Sequence, residues 1–394
     1  MTSLISKLQQ EYSGSREAGY SDGGRNLLSL DLQLWIEVLL LIIVGVIMIY
    51  SASFVMSFQK TGDTAHYVKR QFMWIILGLT GMIVTSKIDY RSYQSYARWI
   101  LLAAVLSLLL VLIPGLGVKL NNARRWVSVG YFNLQPAEFA KVAWIIFLSS
   151  SLALKQDRIK GLTVGFLPHL IWCGVLGILL LLEPDFGTTF MISLLTFLML
   201  TVGGVPIRHL LILVPIGFAG LYHFVYLVPY RWERITAFMN PWTDPLDSGY
   251  QLIQAWIAVG SGGLWGKGLG AGHQKLFYLP ESFTDFIMAV IGEELGFVGI
   301  IAICLLFFFL FWTGLKISQE APDTLGSLLA LGITMLLSLQ ALLNMGVVLG
   351  LVPTKGMPLP FISYGGSAFT ANCLAIGILM NIARSTERRY SGDV

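Results

Sequence analysis

Ten stretches of this chain are each long and apolar enough to cross a lipid bilayer, and no soluble fold accommodates that many. A span needs about 20 mostly apolar residues. Candidates fall at roughly 32–54, 71–87, 97–113, 135–154, 163–182, 186–203, 207–228, 285–315, 325–351 and 362–384. Hydrocarbon offers no partner to an unpaired backbone N–H or C=O, so each span must be helical. The expected fold is therefore an all-α integral membrane protein, a polytopic bundle of about ten transmembrane helices. The eighth and ninth runs exceed the bilayer thickness and must tilt or protrude. Only 12% of residues are charged, against about 25% in soluble domains. The first 31 residues are polar and the first apolar run is long enough to span, so the N-terminus does not read as a signal peptide.

Ten spans put both termini on one side, and the basic residues choose which. Lys and Arg number 14 on the side of the termini and 11 on the other. Long loops translocate largely regardless of charge, so the loop between the seventh and eighth spans is set aside, leaving 14 against 7. Both termini are expected to be cytoplasmic. The chain then divides into a cytoplasmic segment 1–31, a single ten-helix membrane domain 32–384 and a cytoplasmic tail 385–394, with a large extracytoplasmic loop at 229–284. Within that loop, Tyr250 to Val259 reads as a short helix at headgroup level, since tyrosine and tryptophan suit that depth. No separate soluble domain is visible, so any chemistry belongs in the membrane or at its outer face.

Several function classes drop out. The net charge of +4 gives no reason to invoke nucleic acid. Cys173, Cys304 and Cys373 lie in apolar runs and read as small core residues. The histidines are scattered without an HExxH, so a catalytic metal has no visible ligand set. The run GSGGLWGKGLGAGHQK invites comparison with a phosphate cradle. Gly266-Lys267, however, is followed by Gly268 rather than Ser or Thr, and no strand-helix context surrounds it. A flexible external loop with hinge glycines is the better reading.

Charge where lipid is expected is the remaining signal, because ionisable groups there are costly and serve a purpose. Glu138 and Lys141, in LQPAEFAKVAW, are three apart and can pair on one helical face, either as a structural ion pair or as a polar cavity wall. Arg124, Arg125 and Trp126, in the loop before them, suit an anionic headgroup bearing a sugar, or serve as interfacial anchors. In EPDFGTT, Asp185 either caps the sixth helix or faces a site. VPTKGMPLPFISYGGS breaks the backbone at the outer end of the ninth span and carries Lys355, a phosphate ligand by type. LPESFTDFIMAVIGEELGFVG holds four carboxylates. Asp285 sits where the loop re-enters the bilayer, in a setting that raises a carboxyl's pKa, and is placed to act as general base. Capping by Thr284 or Asp285 is the competing role. Glu281 belongs to the aqueous loop, while Glu293 and Glu294 lie about 80° and about 180° around the helix from Asp285. Glu293 is assigned a secondary role only.

Assembled in order, ARRWVSVGYFNLQPAEFAK, EPDFGTT, GSGGLWGKGLGAGHQKLFYLPESFTDFIMAVIGEELG and PTKGMPLPFISYGGS resemble the SEDS family (shape, elongation, division and sporulation proteins) over nearly the whole chain. The PTKG turn and the long N-terminal segment look more like the division branch than the elongation branch. The resemblance implies a peptidoglycan glycosyltransferase that polymerises lipid II and works with a class B penicillin-binding protein supplying transpeptidation. It also implies other divisome proteins as partners and a place among membrane lipids of the bacterial cytoplasmic (inner) membrane, at the division septum. The family's essential aspartate falls on Asp285, its loop tryptophan on Trp126, its acid-base pair on Glu138 and Lys141, and its turn lysine on Lys355.

On that reading Asp285 takes the proton of the acceptor's 4-hydroxyl. Arg124, Arg125, Lys355 and Lys141 hold pyrophosphate oxygens, and the anomeric centre inverts. No cofactor is evident, and the sequence neither requires nor forbids a divalent cation. Two departures stand out: Phe283 occupies a position where relatives often carry histidine, and Phe277 one where some carry an acid. A lipid II flippase and a non-catalytic septal scaffold are the alternative functions.

Overall fold

The structure, a computed structural model, describes residues 29–120, 123–130, 132–354 and 356–391. The N-terminal segment through residue 28, the last three residues of the tail and Lys355 lie outside the described residues.

The apolar runs become helices in the expected order: α1 (Leu30–Thr61), α2 (His66–Lys87), α3 (Tyr90–Leu112), α4 (Pro136–Leu154), α5 (Leu167–Leu182) and α6 (Phe186–Val202). After them come α7 (Ile207–Leu210), α8 (Leu213–Leu221), α9 (Pro229–Met239), α10 (Tyr250–Gly262), α11 (Ile287–Glu320), α12 (Thr324–Val348) and α13 (Gly366–Ser391). Eight helical segments are long and apolar enough to cross a membrane among the described residues. α2 and the shorter α6 occupy the other two predicted positions. The last helix runs on through Ser391, so most of the expected tail is helical.

α4, α12 and α13 are buried along most of their length and form the centre, with α13 lying along α2 and α12 against α11. The first and last helices meet at one end, where Arg384 Nε stands 2.8 Å from Asp31 Oδ2 and Glu387 accepts the Leu30 N–H at 3.0 Å. The seventh segment is broken into α7, α8 and a π-turn at Tyr222–Tyr226, and it packs least of all.

One departure from the all-helical expectation lies outside the spans. Residues expected as loop form a three-stranded antiparallel sheet, β1 (Gly117–Leu120), β2 (Ala123–Val129) and β3 (Phe132–Leu134). Short strands with alternating side chains between two helices carry too weak a period to stand out among apolar runs. The short helix expected over Tyr250 to Val259 forms as α10, and it also packs against α11, with Ala255 and Ala258 fully buried.

The long eighth span is shortened by a break. Gly296 has φ 67° and ψ −163°, which interrupts α11. The helical bonds lost there are replaced by the glycine-rich loop. The carbonyls of Glu293 and Glu294 accept from Lys267 N (3.0 Å) and Gly268 N (3.0 Å). The N–H groups of Phe297 and Val298 donate to Gly263 O (2.9 Å) and Leu264 O (3.2 Å). Backbone broken at this depth survives because protein supplies the missing partners. The glycines are needed for closeness as much as for flexibility: a Cβ on Gly266 would lie 2.1 Å from the Glu294 carbonyl oxygen.

The two deep carboxylates complete the clamp. Glu293 Oε1 pairs with Lys267 Nζ at 2.8 Å and accepts from His273 N, while its Oε2 accepts from Gln274 N. Glu294 Oε1 pairs with Lys275 Nζ at 2.6 Å; its carboxylate also accepts from Ser51 Oγ and Gly270 N. The loop expected to be flexible is thus pinned along its length. Glu293, given a secondary site role from sequence, is committed to this brace.

Candidate active site

Asp285 lies two residues before α11, and the residue that caps the helix is Phe286, with no side-chain cap bond. Its carboxylate is therefore not used in capping, and neither is the Thr284 hydroxyl, which donates to Glu281 Oε2 at 2.7 Å. The backbone around Asp285 is held instead. Asn344 Nδ2 donates to the carbonyls of Asp285 (2.8 Å) and Met357 (2.7 Å). Ser363 Oγ donates to Thr284 O, and Tyr364 N to Phe283 O at 3.0 Å. These bonds tie the segment before α11 to the proline- and glycine-rich turn after α12. Phe283 is buried between the rings of Tyr67 (4.8 Å) and Tyr364 (5.7 Å), so the residue at the expected histidine position serves as packing.

Charged groups from four other places face the partly exposed carboxyl. Burial and the negative charge of Glu281, with a smaller contribution from Asp185, push the Asp285 pKa up to about 7, against the pull of Arg125 and Arg234. An acid with a pKa near neutrality is suited to proton transfer. Gly356 lies against it, since a Cβ there would come within 3.1 Å of Asp285 Oδ2. Glu281 remains exposed, as expected of a loop acid.

The two neighbouring arginines separate. In the β1–β2 ladder Lys119 pairs with Arg124 and Val118 with Trp126, which leaves Arg125 as the extra residue of a bulge. A bulge re-aims one side chain out of the strand's alternation. Arg125 Nε donates to Glu183 O at 3.1 Å and Nη2 donates to Pro184 O. That contact joins the sheet to EPDFGTT and brings Arg125 within electrostatic reach of Asp285. Arg124 stays exposed opposite Lys119, and Trp126 is half-buried.

Arg234, from α9, donates to Thr354 O at 3.4 Å and is the functional candidate that sequence reasoning missed. Its signal was available in PYRWERITAF, where Pro229 opens a helix with Arg231 and Arg234 one turn apart. Arg231 turns away to Phe224 O at 2.8 Å.

Asp185 does cap α6: Oδ1 accepts from Thr188 N at 3.1 Å and Oδ2 from Thr188 Oγ1 at 2.8 Å. Gly187, in the same turn, lies against Met357. Glu138 and Lys141 pair as the spacing predicted, with Lys141 Nζ 2.8 Å from Glu138 Oε2 and both side chains almost wholly buried. Lys141 Nζ also reaches Gln340 Oε1 at 3.3 Å, and Gln340 Nε2 donates to Pro358 O at 3.0 Å. The pair thus supports the same turn from below. Among the described residues no group of three or more His, Cys, Asp or Glu side chains converges on a metal-sized site.

Comparison with known proteins decides the family. The FtsW/RodA/SpoVE cell cycle protein family model matches residues 31–388. The chain belongs to this family.

Among its relatives, a probable peptidoglycan glycosyltransferase FtsW of Trichlorobacter lovleyi is 45% identical over 91% of this chain and 94% of its own length. One from Geobacter metallireducens is 46% identical over 86% of this chain and 90% of its own. Stage V sporulation protein E of Bacillus subtilis is 43% identical, covering 90% and 97%. Among solved structures, a chain of a peptidoglycan synthase complex superposes with TM-score 0.73 at 27% identity, covering 92% of this chain and 99% of that one. The rod shape determining protein RodA of Thermus thermophilus gives TM-score 0.64 at 26% identity, with coverages of 92% and 99%. In this FtsW/RodA/SpoVE chain, then, four separated segments converge around Asp285: the bulged strand, the EPDFGTT turn, α9 and the turn containing Gly356.

Proposed function

We propose that this protein is a peptidoglycan glycosyltransferase that polymerises lipid II, with Asp285 as general base. The observation that carries this reading is a carboxyl free of capping duty, set against Gly356 and within electrostatic reach of Arg125 and Arg234, with its pKa raised by burial to about 7. The acceptor's 4-hydroxyl gives its proton to Asp285, and its oxygen forms the new bond to the donor's anomeric carbon. The bond from that carbon to the pyrophosphate breaks, and the electron pair leaves with undecaprenyl pyrophosphate. Attack opposite the leaving group turns an α-linked donor into a β-1,4 glycan. Arg125, Arg234 and Lys355 hold the pyrophosphate and offset the charge that builds on it. Arg124 and Trp126 lie at the periphery, and the buried Glu138–Lys141 pair braces the turn through Gln340.

The site end of the bundle faces outward from the bacterial inner membrane at the division septum, with both termini cytoplasmic. A class B penicillin-binding protein supplies crosslinking and other divisome proteins place the pair. The solved relative whose title couples polymerisation with crosslinking in one synthase complex supports such a partner. The test is glycan synthesis from labelled lipid II in detergent by the purified complex with Asp285→Ala. Loss of polymer with the complex intact is expected; undiminished polymer would falsify the assignment of the base. Wild-type protein that makes no polymer in detergent points instead to transport.

A further inference from the structure

Glu183 carries a carboxyl for which neither the fold nor the proposed reaction has a use. The residue is fully buried, and neither carboxyl oxygen has a hydrogen-bond partner. The residue ends α5, where its N–H donates to Leu179 O at 3.2 Å, but its carboxyl takes no part in that cap and forms no ion pair within bonding distance among the described residues. Its backbone, in contrast, is occupied: the carbonyls of Glu183 and Pro184 hold Arg125 through Nε and Nη2. One residue thus presents the guanidinium with a neutral acceptor now and a carboxyl held in reserve. A buried carboxyl without donors is strongly biased toward its neutral form.

We infer that Glu183 is a positioning residue that sets how much of the Arg125 charge is available to the anionic group of the substrate. While neutral, it leaves the guanidinium resting on main-chain carbonyls, which compete weakly with a phosphate. Once ionised, it draws the guanidinium into a charge-assisted pair and away from the substrate. The inference rests on the proposed glycosyltransferase reading and adds the group that tunes its phosphate ligand.

The charged groups facing Glu183 are Asp185, from the start of α6, and Arg125, from the bulge in β2. Burial and Asp185 together outweigh Arg125 and push the Glu183 pKa up to about 8. The neutral form therefore dominates near neutral pH and is lost just above it.

The test measures affinity for fluorescent lipid II by the full chain in lipid nanodiscs, at about pH 7 and about pH 9. Wild type is expected to bind about tenfold more weakly at the higher pH, the loss of one charge-assisted contact. Glu183→Gln, permanently neutral, is expected to lose most of that fall and keep only the part that ionisation of Asp285 contributes. In an Arg125→Gln background, Glu183→Gln is expected to have no further effect on the pH dependence. Wild-type affinity that is flat across this range overturns the inference whatever the variants do, and so does an equal fall in Glu183→Gln. These are binding readouts with Asp285 intact. Failure here leaves the polymerisation test untouched, while polymer made by Asp285→Ala would remove the reaction without moving the affinities.

Discussion

Replacing Lys275 with methionine tests the clamp that holds the glycine-rich loop on the broken helix. Lys275 and Glu294 are 2.6 Å apart with side-chain exposures of 1% and 0%. Without the ammonium, the Glu294 carboxylate keeps only Ser51 Oγ, at 2.6 and 2.8 Å from its two oxygens, and Gly270 N at 3.0 Å. Breaking a buried pair from one side costs ~3–5 kcal/mol. Methionine preserves most of the side-chain volume and the contact with the Phe54 ring, over which Nζ now lies at 5.0 Å, so the loss is electrostatic rather than a cavity.

The pair joins a loop to one helix, so the loss falls on local opening of residues 262–275 rather than on the whole bundle. At about 1.4 kcal/mol per decade, the open population rises by roughly two to three and a half orders of magnitude. Amide exchange of the loop, followed by mass spectrometry in detergent micelles, reads that population directly. Lys275→Met with Glu294→Met, which removes both charges, is expected to recover most of the protection. Unchanged exchange in Lys275→Met, or a double variant that loses as much as the single one, refutes the reasoning.

Three further outcomes follow from the structure. The Asp285 pKa is raised to about 7 in the fold, so between its unfolded value and that point the folded state binds the extra proton and stability falls as pH rises. Asp285→Asn is therefore expected to abolish polymerisation yet raise stability above neutral pH by ~1–2 kcal/mol, after allowing for the carboxyl's contact with solvent, as measured by thermal unfolding. In wild type, kcat/KM is expected to fall as pH drops through about 7. Gly356→Ala puts a methyl group 3.1 Å from Asp285 Oδ2. A displaced base is expected to cut kcat about tenfold with little change in stability; wild-type kcat in this variant would show that the turn does not position the carboxyl.

Much of the architecture was legible in the sequence because lipid leaves few choices. Apolar length specifies helices, and each of the ten candidate runs is helical over most of its length. Local spacing was equally reliable where a contact is made within one element: Glu138 meets Lys141 at 2.8 Å, and Asp185 caps the helix that follows it. Asp285 could be singled out because a carboxylate at the mouth of an apolar run is unusual in any fold.

What the sequence could not supply was the long-range partner. Glu293 and Glu294 looked unexplained because their answers, Lys267, Lys275 and Ser51, lie in a loop and in another helix. Arg124 and Arg125 are indistinguishable as letters, and only the bulge sends the second into the site. Arg234 and Gly356 reach Asp285 from segments about 50 and 70 residues away in the chain, distances over which no sequence periodicity carries information. The sequence by itself determined the solvent each segment would accept, since that depends on composition over about 20 residues. Tertiary structure alone decided which charges meet, since that depends on how the helices pack.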